Sequence, residues 1–140
     1  MRAGTSTALL LAACCLFAAP VTAQQAQTPF VVEHTYWLKP GRHEQFITLF
    51  KKTRLPLLHA ERQAGRLISI RMAQPQLVQG REQWDFRLTL TWKDHASAQQ
   101  FNASQSNPEL VSNHRRAMEE QLRDELIVER NDSLLSEEML

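Results

Sequence analysis

Three segments of the chain alternate hydrophobic and polar residues with a period of two, the spacing of a β-strand with one buried face. They are residues 30–38, 66–73 and 83–92. The third is the clearest, because large hydrophobic side chains take every second position from Trp84 to Trp92 and Asp, Arg or Thr lies between them. A hairpin loop is predicted over residues 74–83, which contain a proline and a glycine.

Two further stretches repeat hydrophobic residues at helical spacing. The first predicts a helix over residues 42–64, after a Lys39-Pro40-Gly41 turn and before Gly65, which suits a helix C-cap. Because proline cannot donate a helical hydrogen bond, Pro56 predicts a kink near residues 54–55.

The second helical stretch starts after Asp94, a good N-cap, and continues to about Glu125 with an interruption at Asn107-Pro108. Residues 126–129 read equally as a short fourth strand or as the end of this helix. The sequence from Asn131 onward has the composition of a solvated acidic tail.

The order of these elements, β-α-β-β-α with an undecided final strand, is that of a ferredoxin-like split β-α-β fold. An α+β fold of this kind has an antiparallel sheet with its helices on one face. We therefore expect one domain over residues 30–130, a flexible lead-in over residues 24–29 and the tail over residues 131–140.

The first 23 residues have the pattern of an export signal. Arg2 precedes an uninterrupted apolar run over residues 8–19, and the small residue Ala23 suits cleavage before Gln24. A periplasmic or secreted protein that does not contact a membrane after cleavage is expected. The alternative is a lipobox at residues 11–14, which would leave a lipoprotein anchored through Cys14.

Cleavage would change the chemistry available to the chain. It removes Cys14 and Cys15, hence every thiol, and removing Arg2 leaves equal numbers of basic and acidic residues. Eight acidic and two basic residues then lie between Glu119 and Leu140. A neutral protein with an acidic end does not favour nucleic acid as a partner.

The stretch HTYWLKPGRHEQFITLF, from His34 to Phe50, resembles the opening of the dimeric α/β-barrel superfamily. Its members include antibiotic-biosynthesis-monooxygenase-type, stress-responsive A/B-barrel and NIPSNAP-type domains. NPEL at residues 107–110 resembles a segment of the NIPSNAP type. The resemblance implies a homodimeric α/β barrel, with a small-molecule or haem pocket between sheet and helices in the related enzymes.

The helix-facing side of the sheet carries the candidates for chemistry. A neutral His34 could act as a general base and Tyr36 could donate to an oxyanion, so these two are the catalytic candidates. A pocket for a small apolar or aromatic ligand would be lined by His34, Tyr36, Trp84, Phe86, Trp92 and His114. The same residues could instead be ordinary core, since their alternation predicts packing first.

No metal or nucleotide cofactor is predicted. The five histidines lack metal-ligand spacing, and no phosphate-binding or dinucleotide-binding glycine motif is present. Haem is the alternative cofactor, with His114 as its axial ligand.

The other face of the sheet is the expected dimer interface, because a tryptophan beside carboxylate–arginine pairs suits a self-complementary contact. Its residues are Glu33, Thr35, Trp37, Arg71, Asp85 and Arg87. The favoured function is an exported binding or accessory module. The alternatives are a cofactor-independent monooxygenase or haem-handling oxidoreductase, and a structural subunit that docks through this face and the acidic tail.

Overall fold

The protein forms a four-stranded antiparallel sheet with helices packed against one face. The computed structural model describes residues 28–76, 83–105 and 114–136. In chain order the elements are β1 (Phe30–Leu38), α1 (His43–Thr53), α2 (Leu55–Gln63), β2 (Leu67–Ala73), β3 (Phe86–Trp92), α3 (His95–Gln105), α4 (His114–Asp124) and β4 (Ile127–Leu135). In these ranges no helix is both long and apolar enough to cross a membrane.

Several predicted features lie outside the described residues. They are the export signal with its lipobox alternative, most of the lead-in, the tip of the hairpin loop and the Asn107-Pro108 interruption.

The strands lie in the order β2-β3-β1-β4, with β1 and β3 in the centre. On β1, Tyr36 pairs with Phe86 of β3 on one side and with Arg130 of β4 on the other. Every pairing is antiparallel. The α+β ferredoxin-like arrangement predicted from the order of elements is confirmed.

The fourth strand differs most from its prediction. Of the two readings of residues 126–129, the strand is confirmed and the helix end is wrong. The strand is longer than expected, because β4 runs from Ile127 to Leu135 and pairs with β1. The predicted tail is therefore strand as far as Leu135, and the domain ends later than residue 130. The sequence pattern hid this strand because it lies at the sheet edge with most side chains exposed, so it lacks the usual alternation.

The predicted helix over residues 42–64 is divided where its kink was expected. α1 ends at Thr53 and α2 begins at Leu55, with Arg54 between them. Pro56 lies in the first turn of α2, where a missing N–H removes no helical hydrogen bond. At the end of α2, Gly65 has a φ of 72°, the left-handed conformation that suits glycine at a helix C-terminus.

The core lies between β1, β3 and the helices. The alternation of β3 is confirmed, because its residues from Phe86 to Trp92 are alternately buried and half-buried. The strand side chains meet Phe46, Phe50 and Leu58 from the first two helices. On β2 the alternation of hydrophobic residues would turn Ile68, Ile70 and Met72 toward the helices. For Ile68 this is wrong, because the register shifts after Leu67 and leaves Ile68 exposed.

Polar contacts attach α4 to the rest of the domain. None of its residues is buried, and its hydrophobic residues Met118 and Leu122 are 53% and 46% exposed. Lys52 of α1 forms an ion pair with Glu119 at 2.5 Å, and Arg123 donates to the Thr53 hydroxyl at 2.9 Å. These contacts hold the charged helix α4 against α1.

We predict that truncation after Arg130 destabilises the domain by at least about 2 kcal/mol, because several strand hydrogen bonds of order 1 kcal/mol each are lost. Urea denaturation of the truncated and full-length chains measures the difference. Truncation after Ser136 is the control and leaves the free energy of unfolding unchanged. Equal stability of all three chains would show that residues 131–135 contribute nothing as a strand.

Candidate functional site

A cavity of about 380 Å³ lies between the sheet and the helices, at the end where β4 begins. It is within the size range of ligand pockets in proteins. Its lining residues are Tyr36, Phe46, Phe50, Arg54, Asn102, Gln105, Glu120, Arg123, Asp124, Ile127 and Arg130. The cavity thus combines an aromatic floor with walls that are mainly charged or amide-bearing.

Two of the three arginines in the cavity wall are paired with aspartates. Arg123 at the end of α4 donates twice to the Asp124 carboxylate, at 2.7 and 2.9 Å. Arg130 of β4 donates to both oxygens of Asp132 at 2.7 Å, the two-pronged geometry that suits a guanidinium and a carboxylate. Both guanidiniums are therefore largely compensated by neighbouring negative charge.

Arg54 is held differently. It lies at the junction of α1 and α2, where its guanidinium packs 4.7 Å from the centre of the Phe101 ring and donates to Gln105 Oε1 at 3.4 Å. Burial lowers the pKa of Arg54. A guanidinium nevertheless keeps its charge at neutral pH. No carboxylate in the described ranges comes within ion-pair distance of it.

His34 and Asp132 form a hydrogen-bonded pair beside the cavity. They are cross-strand partners on β1 and β4, and His34 Nδ1 lies 2.7 Å from Asp132 Oδ1. Because an ionised carboxylate only accepts hydrogen bonds, this contact assigns the proton to Nδ1 and leaves Nε2 as the acceptor of the neutral ring. Arg130 donates to the same carboxylate at 2.7 Å, so Asp132 accepts hydrogen bonds from both His34 and Arg130.

The electrostatics of this pair favour a neutral imidazole and a charged carboxylate. Burial lowers the pKa of His34 and outweighs the opposing effect of Asp132. For Asp132, burial acts to raise the pKa, but the hydrogen bonds from Arg130 and His34 outweigh it and lower the pKa. Asp132 therefore orients His34 without protonating it at neutral pH.

Tyr36 forms the floor of the cavity. Burial raises the pKa of its phenol, while the positive charges of Arg130 and Arg54 act in the opposite direction. The Arg130 guanidinium lies 5.7 Å from the centre of the ring. The hydroxyl is therefore protonated at neutral pH and can donate to an anionic oxygen.

The other predicted pocket residues are spread through the fold. Phe86 and Trp92 are buried in the core, where Trp92 packs 5.2 Å from Phe101. Trp84 precedes β3. The centre of its ring lies 4.4 Å from the guanidinium carbon of Arg87, a residue of the predicted dimer face. His114 is exposed at the start of α4. None of these four residues lines the 380 Å³ cavity, and of the six candidates only Tyr36 does.

The predicted dimer face is partly engaged within one chain. Glu33 and Arg87 form an ion pair at 3.7 Å, and Asp85 accepts a hydrogen bond from the backbone of Leu38 at 2.7 Å. Of the remaining members, Thr35 is buried, Trp37 is half-buried and Arg71 is exposed. Trp37 and Arg71 therefore remain open to a partner.

Sequence reasoning missed Arg54, Arg123, Arg130 and Asp132. The only sequence signal for the last two is their spacing of two residues, which puts both on one face of a strand. That signal is weak because the surrounding residues do not alternate. In the described ranges no group of three or more His, Asp or Glu side chains could hold a metal ion.

Neither protein-family models nor curated proteins show a match to this chain. Solved structures do. A dimeric ferredoxin-like protein from an uncultured marine organism is 9% identical, with a TM-score of 0.55 over 81% of this chain and 92% of that one. A dabb family protein with a ferredoxin-like fold from Mesorhizobium loti is 14% identical, with a TM-score of 0.54 over 81% and 100%.

A NIPSNAP family protein from Agrobacterium tumefaciens is 13% identical, with a TM-score of 0.51 over 78% of this chain and 85% of that one. The chain has the ferredoxin-like fold. The predicted resemblance to NIPSNAP and stress-responsive A/B-barrel proteins is thereby confirmed at the level of fold. Identities this low do not transfer a function, which has to be inferred from the site itself.

We predict that acidification destabilises the protein through His34. Since the folded state holds the pKa of His34 below its ordinary 6.5, the unfolded chain takes up this proton first as the pH falls. The free energy of unfolding then decreases as the pH drops through that value. His34→Gln keeps a side-chain donor for Asp132 but cannot titrate, so it loses less stability between about pH 7.5 and about pH 5.5.

Urea denaturation at the two pH values measures this difference. His114→Gln, which removes an exposed histidine, is the matched control and keeps the wild-type decrease. The depressed pKa of Asp132 acts at lower pH, because its stabilising effect is lost only as the pH falls below the ordinary carboxyl value. A His34→Gln decrease equal to that of the wild type would contradict the assignment.

Proposed function

We propose that this protein is an exported, homodimeric binding module that holds a small molecule in the cavity between its sheet and helices. The observation that carries the proposal is the convergence of Arg54, Arg123 and Arg130 on one cavity above Tyr36. A cavity with a few convergent polar groups is the usual form of a ligand site in a small domain. Export rests on the signal-like residues 1–23.

The lining of the cavity refines the expected ligand. Phe46 and Phe50 are buried behind the floor, and most of the accessible wall comes from charged and amide side chains. A polar small molecule fits this wall better than the apolar or aromatic one suggested by the sequence pattern. His114, the expected axial ligand of the haem alternative, does not line this cavity.

The outer face of the sheet supports the homodimer. Trp37 on this face is half-buried and Arg71 is exposed, so both are accessible to a second chain. A second copy of the same face would cover Trp37, which offers the apolar contact. One of the similar solved structures is itself described as dimeric.

Native mass spectrometry of the protein purified from the periplasm of an expressing cell tests the proposal. We expect two chains, each beginning at Gln24 and each retaining one small-molecule mass. Trp37→Ala should raise the dimer dissociation constant by at least about tenfold, as loss of a buried aromatic interface residue usually does. Met118→Ala, which removes an exposed hydrophobic residue from α4, leaves the dimer unchanged.

The outcomes separate the parts of the proposal. A monomer at micromolar concentration would contradict the dimer, and a chain that retains Met1 would contradict export. The binding function would be contradicted if no small-molecule mass is retained and added small molecules shift no amide NMR signals around the cavity.

The His34–Asp132 pair favours a second candidate, an enzyme that removes a proton from its substrate. A neutral imidazole oriented by a carboxylate is a suitable general base at neutral pH. The side chain of His34 is 11% exposed. This candidate uses His34, the residue that the monooxygenase alternative also names as its base. The proton transfer itself requires no cofactor.

Ring opening of nitrobenzisoxazole probes this second candidate without knowledge of the substrate. In that reaction a base takes the ring C–H proton, the N–O bond breaks and a cyanonitrophenolate forms. We expect wild-type turnover above buffer, and a loss of at least about tenfold in kcat/KM for His34→Gln and Asp132→Asn. His114→Gln is the control. Equal rates for all four proteins would exclude His34 as the base.

A further inference from the structure

We propose that the ligand is a small organic anion whose carboxylate or phosphate group is bound by Arg54. This inference rests on the proposed binding function and names its ligand class. It follows from three features of the cavity: its charge balance, the position of Arg54 and the geometry of the neighbouring donors.

The charges around the cavity do not cancel. Among the described residues, Arg123 is paired with Asp124 and Arg130 is paired with Asp132. The remaining carboxylate in the wall, Glu120, is within 3.2 Å of Arg116 on the same helix. Each of these carboxylates thus has its own guanidinium, and of the cations that line the cavity Arg54 has no carboxylate partner within the described part of the chain.

An uncompensated guanidinium in a half-buried position is unfavourable, because the protein replaces part of its hydration without supplying an opposite charge. The contacts of Arg54 with Phe101 and Gln105 orient it but do not neutralise it. Among carboxylates, Glu120 acts to raise the pKa of Arg54, but its effect is smaller than those of Arg123 and Arg130, whose positive charges lower it. A bound anion would remove this imbalance.

The donors around Arg54 suit an oxyanion. A guanidinium offers two parallel N–H groups that match the two oxygens of a carboxylate or two oxygens of a phosphate. The protonated hydroxyl of Tyr36 belongs to the same cavity floor. The rest of the ligand would face the amides of Asn102 and Gln105 and the ring of Tyr36.

Amide NMR titrations test the inference on the full mature chain at constant ionic strength. The probes are 4-hydroxybenzoate, its neutral isostere 4-hydroxybenzamide and inorganic phosphate. We expect the benzoate to shift amides at the junction of α1 and α2 and in α3, and to bind at least tenfold more tightly than the benzamide. Phosphate distinguishes the two anion classes, since a site built for phosphate binds it more tightly than the benzoate.

Two variants test the role of Arg54 from opposite directions. Arg54→Gln should weaken benzoate or phosphate binding at least tenfold, while Arg42→Gln, an exposed arginine before α1, should leave it unchanged. Gln105→Glu places a carboxylate at the position now 3.4 Å from Arg54 Nη1. It should weaken anion binding as strongly and raise the Tm, so the test remains decisive if Arg54→Gln does not fold.

Equal affinity for benzoate and benzamide, or undiminished anion binding by Gln105→Glu, would overturn the anion inference. If either result comes with amide shifts around the cavity alone, a probe still binds there, and the proposed binding function stands without the anion preference. Absence of shifts with all three probes would also overturn the inference, and the native mass spectrum would then decide separately whether the cavity holds a ligand at all.

Discussion

The pairing of β1 with β4 is the interaction on which the candidate site depends. β1 is one of the two central strands and pairs with β3 along one edge and with β4 along the other. Their register puts Asp132 opposite His34 and Arg130 opposite Tyr36. Side chains on cross-strand partners lie within hydrogen-bonding reach, so this one pairing assembles the histidine, its carboxylate, the tyrosine and a guanidinium.

The same site carries an electrostatic constraint. Guanidiniums brought together beneath helices repel one another unless acidic groups lie among them. The chain supplies Asp124 and Asp132 as direct partners, and α4 is attached through polar contacts that bring Arg123 into place. Arg54 remains without a compensating charge because it lies at the junction of α1 and α2, and the first turn of α2 contains no acidic residue. A bound anion, as proposed, would offset part of the cost of assembling these charges.

The outer face of the sheet follows from the same strand geometry. Alternate residues of β1 point away from the helices, so the strand that supplies His34 and Tyr36 to one side supplies Glu33 and Trp37 to the other. A homodimer formed through this face would bury the back of the strand that carries the site. Changes at the interface would then be transmitted to the site through β1 itself.

Hydrophobic periodicity alone determined β3, the core helices and the order of elements, because burial of one face imposes a regular spacing on the sequence. Glycine and proline determined the turn at Gly41 and the break before Pro56, because their backbone restrictions are local. Only the tertiary structure decided β4, since an edge strand has little buried surface to shape its sequence. It also decided the site, because Arg54, Arg130 and Asp132 become neighbours of Tyr36 and His34 through long-range pairing, which no local pattern records.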